Sequence, residues 1–412
     1  MKRNVFFVCV FLLAAALLPA QDGPGRAGDN LVIRIAVMGP GDELYFWWGH
    51  IALIIDDTKT GESDFYDYGL FSFENENFFT NFALGRLLYS CGVSPSWLNI
   101  AGYIRTNRDV IVYTLDLPPE KREEIRRFAE NNVLPENRDY LYHHFKKNCS
   151  HPIRDIVDMA VDGQFREKYG EAPGRFTLRE HVRRHTWFSP FMDWLLNFLM
   201  GQDIDVPITV WDDMFLPSEV GNRINEFYYT DPSGAERKLV SDVEILHRAK
   251  NRPAVLDVPR RQWPMELTAG TAAALVLLLF FLVQAKRPAA GKLLLGFSQS
   301  LLGLFFGGVG LVLFFMTFFT NHDYTFHNSN LLFVNPLLLA ALPLGIGYAL
   351  GGKKKRARLA GRLLRLLWRI SLIGLIVSVL IKILPGFYQD NLTDQLLLLP
   401  IVLVLSFTPQ KE

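Results

Sequence analysis

Two short segments of the 412-residue chain carry residue types able to do nucleophilic chemistry. One is Trp47-Trp48-Gly49-His50-Ile51-Ala52-Leu53, a histidine at the mouth of an apolar run. The other is Phe145-Lys146-Lys147-Asn148-Cys149-Ser150, followed by Ile153, Ile156, Val157 and Ala160. That spacing predicts a helix over 148–160 with Cys149 in its first turn. A helix N-terminus favours thiolate over thiol, because the macrodipole and the free N–H groups point at it. A histidine held nearby can take the thiol proton and return it later. The N–H groups around Cys149, together with Asn148 and Ser150, are the expected oxyanion or substrate contacts. The same residues have plainer readings. A lone cysteine is commonly a small buried hydrophobe, His50 could satisfy a core hydrogen bond, and Cys91 and Cys149 could pair in an oxidising compartment.

Further polar residues compete for roles beside this pair. A carboxylate that fixes the imidazole tautomer is expected from the segment Asp64–Gly69, with Asp67 as first choice. Tyr66 and Tyr68 are the alternatives, because strand residues alternate faces. His143 and His144 lie close to Cys149 in sequence and are alternative bases. His181 and His185 have the spacing of a metal pair on a helix. Arg183 and Arg184 lie between them, and no glutamate follows as in a zincin motif. No metal and no cofactor are expected.

The elements that must position these residues are those of an α+β domain. Leu31–Met38, Ile51–Ile55, Asp64–Tyr68 and Val110–Leu115 read as strands, with a turn over Asp56–Gly61. Helices are predicted over Glu120–Asn131, behind Pro118-Pro119, and over Asn148–Ala160. Leu178–Met200 reads as one or two amphipathic helices. Ser218–Leu246 reads as a helix or strand pair returning toward the membrane.

Composition narrows the class. Lys+Arg is 43 against Asp+Glu 42, which excludes a nucleic-acid binder driven by bulk charge. Three cysteines exclude a disulfide-stapled scaffold. Lys2 and Arg3 precede an uncharged run, Phe6–Leu18, and the small residues Pro19 and Ala20. This pattern predicts a signal peptide over 1–20, with an uncleaved anchor as the alternative; either one exports the domain behind it. An extracytoplasmic domain over 29–262 is then followed by a transmembrane bundle over 265–408. Five spans are expected, at Leu267–Ala285, Leu293–Thr320, Leu331–Leu350, Ile370–Leu384 and Leu396–Pro409. Lys286, Arg287 and Lys292, and then the basic run from Lys353 to Arg369, mark cytoplasmic loops. Asn321–Asn330 and Pro385–Asp394 contain no Lys or Arg and belong outside. The outer loop carries His322 and Asn328, candidate contacts for a lipid headgroup or for the soluble domain.

Gly49-His50 opening a strand and Asn148-Cys149 opening a helix resemble the circularly permuted papain-like superfamily, which includes NlpC-like peptidases and lecithin:retinol acyltransferase. The chain is more closely similar to the Lnb-type bacterial lipoprotein N-acyltransferases. The matching pieces are Gly49-His50, Asp64-Phe65-Tyr66-Asp67-Tyr68-Gly69-Leu70-Phe71, Asn148-Cys149-Ser150 with Arg154-Asp155, and Met214-Phe215-Leu216-Pro217. His322, Asn328, Asn330 and Asn335-Pro336 match in the membrane part. The resemblance implies a permuted papain-like fold. It implies a thiol enzyme in the bacterial inner membrane, moving an acyl chain from a phospholipid to the N-terminal amine of a lipoprotein. Cys149 would be the nucleophile and His50 the base. The bilayer, a phospholipid donor and a lipoprotein acceptor are the implied partners, with no nucleic acid. Two rival functions share the same residues: a membrane-tethered cysteine amidase or peptidase acting on the cell wall, and a non-enzymatic receptor or assembly factor.

Overall fold

The computed structural model describes residues 26–71, 77–351 and 354–407. The expected signal segment 1–20 and the residues after Phe407 lie outside them. Nine strands are described: β1 (Leu31–Met38), β2 (His50–Asp57), β3 (Glu62–Leu70), β4 (Leu88–Pro95), β5 (Val110–Leu115), β6 (Asp139–Leu141), β7 (Tyr228–Thr230), β8 (Glu236–Lys238) and β9 (Val240–His247). The soluble part also holds helices α1 (Phe78–Ala83), α2 (Ser96–Arg105), α3 (Pro119–Asn132), α4 (Ser150–Ala160), α5 (Gln164–Tyr169), α6 (Leu178–Thr186), α7 (Pro190–Leu199), α8 (Val210–Asp213) and α9 (Pro217–Asn225).

Seven strands form one antiparallel sheet in the order β6-β4-β3-β2-β1-β5-β9, and β7 pairs with β8 as a separate hairpin. Both faces of its centre are covered. Ile33, Ile35, Leu53, Ile55 and Tyr66 share a core with Ile125 of α3 and with Ile153, Ile156 and Val157 of α4. Ala36, Met38, Ala52, Ile54, Phe65 and Val112 face the other way, against Ile100, Tyr103 and Ile104 of α2. Burial on both faces removes apolar surface from water on each side. It also explains why β1, apart from Arg34, and the Ile51–Ile55 stretch of β2 read as apolar runs instead of alternating patterns. The four expected strands are present. The segment 218–246 holds both a helix and a strand pair: α9 is followed by the β7–β8 hairpin and by β9, which pairs with β5 at the sheet edge.

The membrane part contains α10 (Trp263–Lys286), α11 (Pro288–Phe319), α12 (Ala341–Leu350), α13 (Lys354–Leu380) and α14 (Leu392–Phe407). Four segments are long and apolar enough to cross a membrane: Trp263–Lys286, Pro288–Phe319, Ser329–Leu350 and Lys355–Ile383. The fifth expected span overlaps α14, a shorter apolar helix of 16 residues. The fourth span also begins earlier than expected. The basic stretch is interleaved with Leu359, Leu363, Leu364, Leu366 and Leu367, good helix formers that carry one continuous helix through the charges. The third is broken, with two 3-10 turns before α12. Pro336 starts the second of these and has no N–H to give to a preceding turn.

The two loops without Lys or Arg are the ones that touch the soluble domain. Trp194 and Phe198 of α7 enter the core of the bundle beside Phe333 and Leu398. Arg183 donates to Asp390 at 2.6 Å, and Arg261 reaches the same carboxylate at 3.5 Å. An arginine on the outer side thus has a structural partner. Burial opposes the charge on Asp390, but Arg183 and Arg261 outweigh it and hold the carboxyl below its ordinary value. Its stabilising effect is therefore full above about pH 4 and is lost as pH falls through the folded-state value. Asp390→Ala would leave Arg183, only 3% exposed, without its main counter-charge. The expected loss is about 3 kcal/mol in denaturant unfolding of the full chain in detergent. An unchanged midpoint would show that the pair contributes nothing to docking.

Candidate active site

The pairing of β2 with β3 sets the first half of the site. Ala52 lies opposite Asp67, so His50 and Gly69, each two residues further along, fall together at one end of the pairing and on the same face. His50 Nε2 lies 2.9 Å from Asp67 Oδ1, and the Gly69 N–H donates to the same oxygen at 2.7 Å. Gly69 has to be glycine, since a Cβ there would lie 2.6 Å from His50 Cε1. Tyr103 of α2 stacks with the imidazole at 6.2 Å between centroids, and Arg108 lies 4.8 Å from the Tyr103 ring centre. Tyr66 and Tyr68 belong to the opposite core, so strand alternation decides for Asp67. Burial disfavours the imidazolium, but Asp67 first, then Tyr103 and Cys149, outweigh it and raise the His50 pKa well above its usual value. Burial likewise works against the Asp67 carboxylate, yet His50 and the Gly69 N–H hold it below the ordinary range. With Nε2 on the carboxylate, Nδ1 is the nitrogen left for a thiol.

The second half is a tightly bonded turn between β6 and α4. His143 and Lys147 exchange two backbone hydrogen bonds, at 2.8 and 3.0 Å. His143 Nδ1 accepts the N–H groups of Phe145 and Lys146, so its proton sits on Nε2, which donates to Asp323 Oδ1 at 2.7 Å. Lys146 Nζ donates to Asp323 Oδ2, also at 2.7 Å. Asn148 then braces the start of α4: its Oδ1 accepts the Ser150 N–H, and its amide donates to the carbonyls of His144 and Phe215. Both amide hydrogens are thereby taken, and Asn148 holds the turn in this structure instead of facing a substrate. Ser150 is fully buried, and among the described residues its hydroxyl has no partner. Cys149 is the N-cap residue, and among the described residues nothing accepts its backbone N–H.

Cys149 and His50 interact through space, with no hydrogen bond between sulfur and imidazole. Catalytic pairs of this kind often close fully only around a substrate. Tyr89, Tyr140 and Tyr142 also lie within electrostatic reach of the Cys149 sulfur. Sequence reasoning missed these tyrosines, along with Tyr103 and Arg108; the alternation Tyr140-Leu141-Tyr142 just before the nucleophile was the available signal.

The other candidates have structural roles. Cys91 and Cys149 are both free thiols, so the disulfide reading fails, and burial pushes Cys91 up to about 12. Burial pushes His144 down to about 4 and His151 down to about 3. His181 is bonded to Asp213 at 2.7 Å, and His185 Nδ1 to the His181 carbonyl. Among the described residues no group of three or more His, Cys, Asp or Glu side chains is placed to hold a metal. His322 Nε2 donates to the Phe82 carbonyl and its Nδ1 accepts from the Tyr324 hydroxyl. Asn328 donates to the carbonyls of Phe198 and Leu199. Both therefore latch the soluble domain to the outer loop.

Residues 27–184 match the family model of the Lnb N-terminal periplasmic domain, and residues 264–381 match that of the Lnb transmembrane domain. The first match contains His50, Asp67 and Cys149, and the second contains His322, Asp323 and Asn328. No curated protein and no solved structure matches the chain.

The coupling of His50 to Asp67 has a measurable sign. A raised folded-state pKa keeps the ring protonated beside Cys149 into the neutral range. It adds stability that is full below about pH 6.5 and is lost as pH rises through the folded value. Asp67→Asn removes the largest raising influence. Alkylation of Cys149 at pH 7 should fall about tenfold, with the alkaline limb of its pH profile moving toward an ordinary imidazole value. An unchanged profile would separate Asp67 from the thiol. The clasp at Asp323 predicts a local effect. In Asp323→Ala, amide exchange at Phe145 and Lys146 should accelerate by about tenfold or more, and Cys149 alkylation should slow. Lys146→Gln should do less, because its side chain is 70% exposed.

Proposed function

Because the chain belongs to the Lnb family, with its periplasmic domain and its transmembrane domain, we propose that it is a thiol N-acyltransferase of the bacterial inner membrane. It moves an acyl chain from a phospholipid to the N-terminal amine of a lipoprotein. One observation carries the reading: the turn that bears Cys149 is tied through His143 and Lys146 to Asp323, on the loop between two membrane segments. A nucleophile held at that level meets the ester bonds of lipids. A wall-directed hydrolase would have no use for such a tether.

The chemistry follows from the residues. The Cys149 thiolate attacks an acyl ester carbonyl, and the tetrahedral oxyanion takes the free Cys149 N–H. His50 gives its proton to the departing glycerol oxygen, and a lysophospholipid leaves a thioester on Cys149. The lipoprotein amine then attacks the thioester carbonyl. His50 accepts the amine proton, and the thiolate leaves as the amide forms. Asp67 stabilises the imidazolium in both steps. Water must be kept from the thioester, which a site closed against a bilayer achieves.

Mass spectrometry of lipoprotein N-termini from cells with wild-type protein, without it, and with Cys149→Ala tests this. The N-linked acyl mass should be present only with wild type, and Cys91→Ala should match wild type. N-acylation that persists in Cys149→Ala would overturn the proposal, and a change confined to cell-wall fragments would favour the amidase reading.

A further inference from the structure

A cleft of about 500 Å³ opens beside α1, between the ends of β3, β4 and β6. Its size is that of a site for a small molecule or a lipid headgroup. Its walls combine apolar and basic side chains with the polar Asn81 and Ser90 and the carboxylate of Asp139. Leu70, Phe82 and Leu88 line it while remaining 43%, 51% and 53% exposed. Arg86 and Arg138 line it as well. Among the described residues the Arg86 side chain has no acceptor, and Arg138 has only a loose, half-exposed pairing with Asp139 at 3.6 Å.

The cleft is fastened to the membrane part. The Phe82 carbonyl accepts from His322 Nε2, and the Leu84 carbonyl accepts from the Asn321 N–H at 2.8 Å. Gly85 approaches so closely that a Cβ there would lie 2.8 Å from the His322 nitrogen. These contacts hold α1 where α11 leaves the apolar zone, with Phe79 73% exposed on the same helix. At its inner end the cleft is walled by Tyr89, which stacks on Tyr142 at 4.1 Å. Both rings lie within electrostatic reach of the Cys149 sulfur. The cleft therefore runs from the membrane boundary toward the nucleophile.

We propose that this cleft holds the phosphodiester headgroup of the donor phospholipid, with Arg86 and Arg138 on the phosphate and Leu70, Phe82 and Leu88 against the first carbons of its chains. The inference rests on the acyl-transfer reading and adds which lipid goes where. Of the two lipids in that reaction only the donor carries a phosphate, since a diacylglyceryl cysteine has none. A guanidinium pair recognises phosphate through parallel charge-assisted hydrogen bonds and gives a neutral glyceride nothing comparable. The donor ester then passes Tyr89 to reach Cys149, and the acceptor amine must approach from another side.

The test uses the full chain in detergent and native mass spectrometry, comparing phosphatidylethanolamine with a diacylglycerol of the same chains. Wild type should retain the phospholipid about tenfold better. The double variant R86Q/R138Q should lose that preference while keeping its diacylglycerol binding and its rate of Cys149 alkylation. In acyl-transfer assays the variant should raise the KM for the donor and leave that for the acceptor unchanged. A preference that survives in the double variant would overturn the proposal. Displacement of the lipid from wild type by millimolar inorganic phosphate would overturn it too, by making the cleft a site for free phosphate. Arginine-dependent phospholipid retention without any acyl transfer would keep the cleft and remove the reaction. Transfer that is unaffected in the variant, with its preference intact, would do the reverse.

Discussion

One carboxylate joins the two halves of this protein at the point where chemistry is expected. Asp323 accepts from His143 with one oxygen and from Lys146 with the other. Burial opposes its charge, but the bonds from Lys146 and His143 outweigh that and keep it ionised below the usual carboxylate range. The same His143 ring accepts two N–H groups of the turn it belongs to. Any shift of the loop His322–Asn328 relative to the sheet would therefore be passed to the residues just before Cys149. The soluble domain and the bundle form one machine through contacts of this kind. The broad apolar seam at Trp194 and Phe198 supplies area, and polar residues on the outer loops supply register.

The catalytic constellation is split between two kinds of support. His50 and Asp67 are held by strand pairing, where register alone decides which side chains meet. Cys149 is held at a helix start braced by Asn148, which is itself bonded to Phe215 and His144. Neither support is mobile by construction: the sheet is buried on both faces, and the turn satisfies nearly all its polar groups. The freedom left in the site lies in the gap between thiol and imidazole. That gap is where a substrate carbonyl would have to enter.

Polar residues around the membrane loops illustrate how one residue type serves different ends. Asn328 and His322 stand where a lipid headgroup would be recognised, yet their hydrogen bonds go to backbone carbonyls of the soluble domain. A buried amide or imidazole left unpaired is costly, and here helix and loop ends offer carbonyls within reach. The arginines on the rim of the cleft are still open to solvent, which fits them for a diffusible anion better than the satisfied asparagines.

The sequence by itself determined the division into a water-soluble and a lipid-facing part, the side of the membrane on which each loop lies, and the candidates for nucleophile and base. These are local or compositional properties: an apolar run of spanning length, a bias in Lys and Arg, a cysteine at a helix start. It also determined β1 and β5 to the residue, because strands buried on both faces leave an apolar run with sharp ends. Only the tertiary structure decided that Asp67 and neither flanking tyrosine meets His50, since this depends on a register between strands that no local pattern encodes. It alone decided that Asn148 and His322 are bonded into structure, because their hydrogen-bond partners Phe215 and Phe82 come from distant points of the chain. The start of the fourth membrane helix was hidden for a similar reason. Helix length is a property of continuous backbone bonding, so α13 runs through a basic stretch whose charges read as a loop.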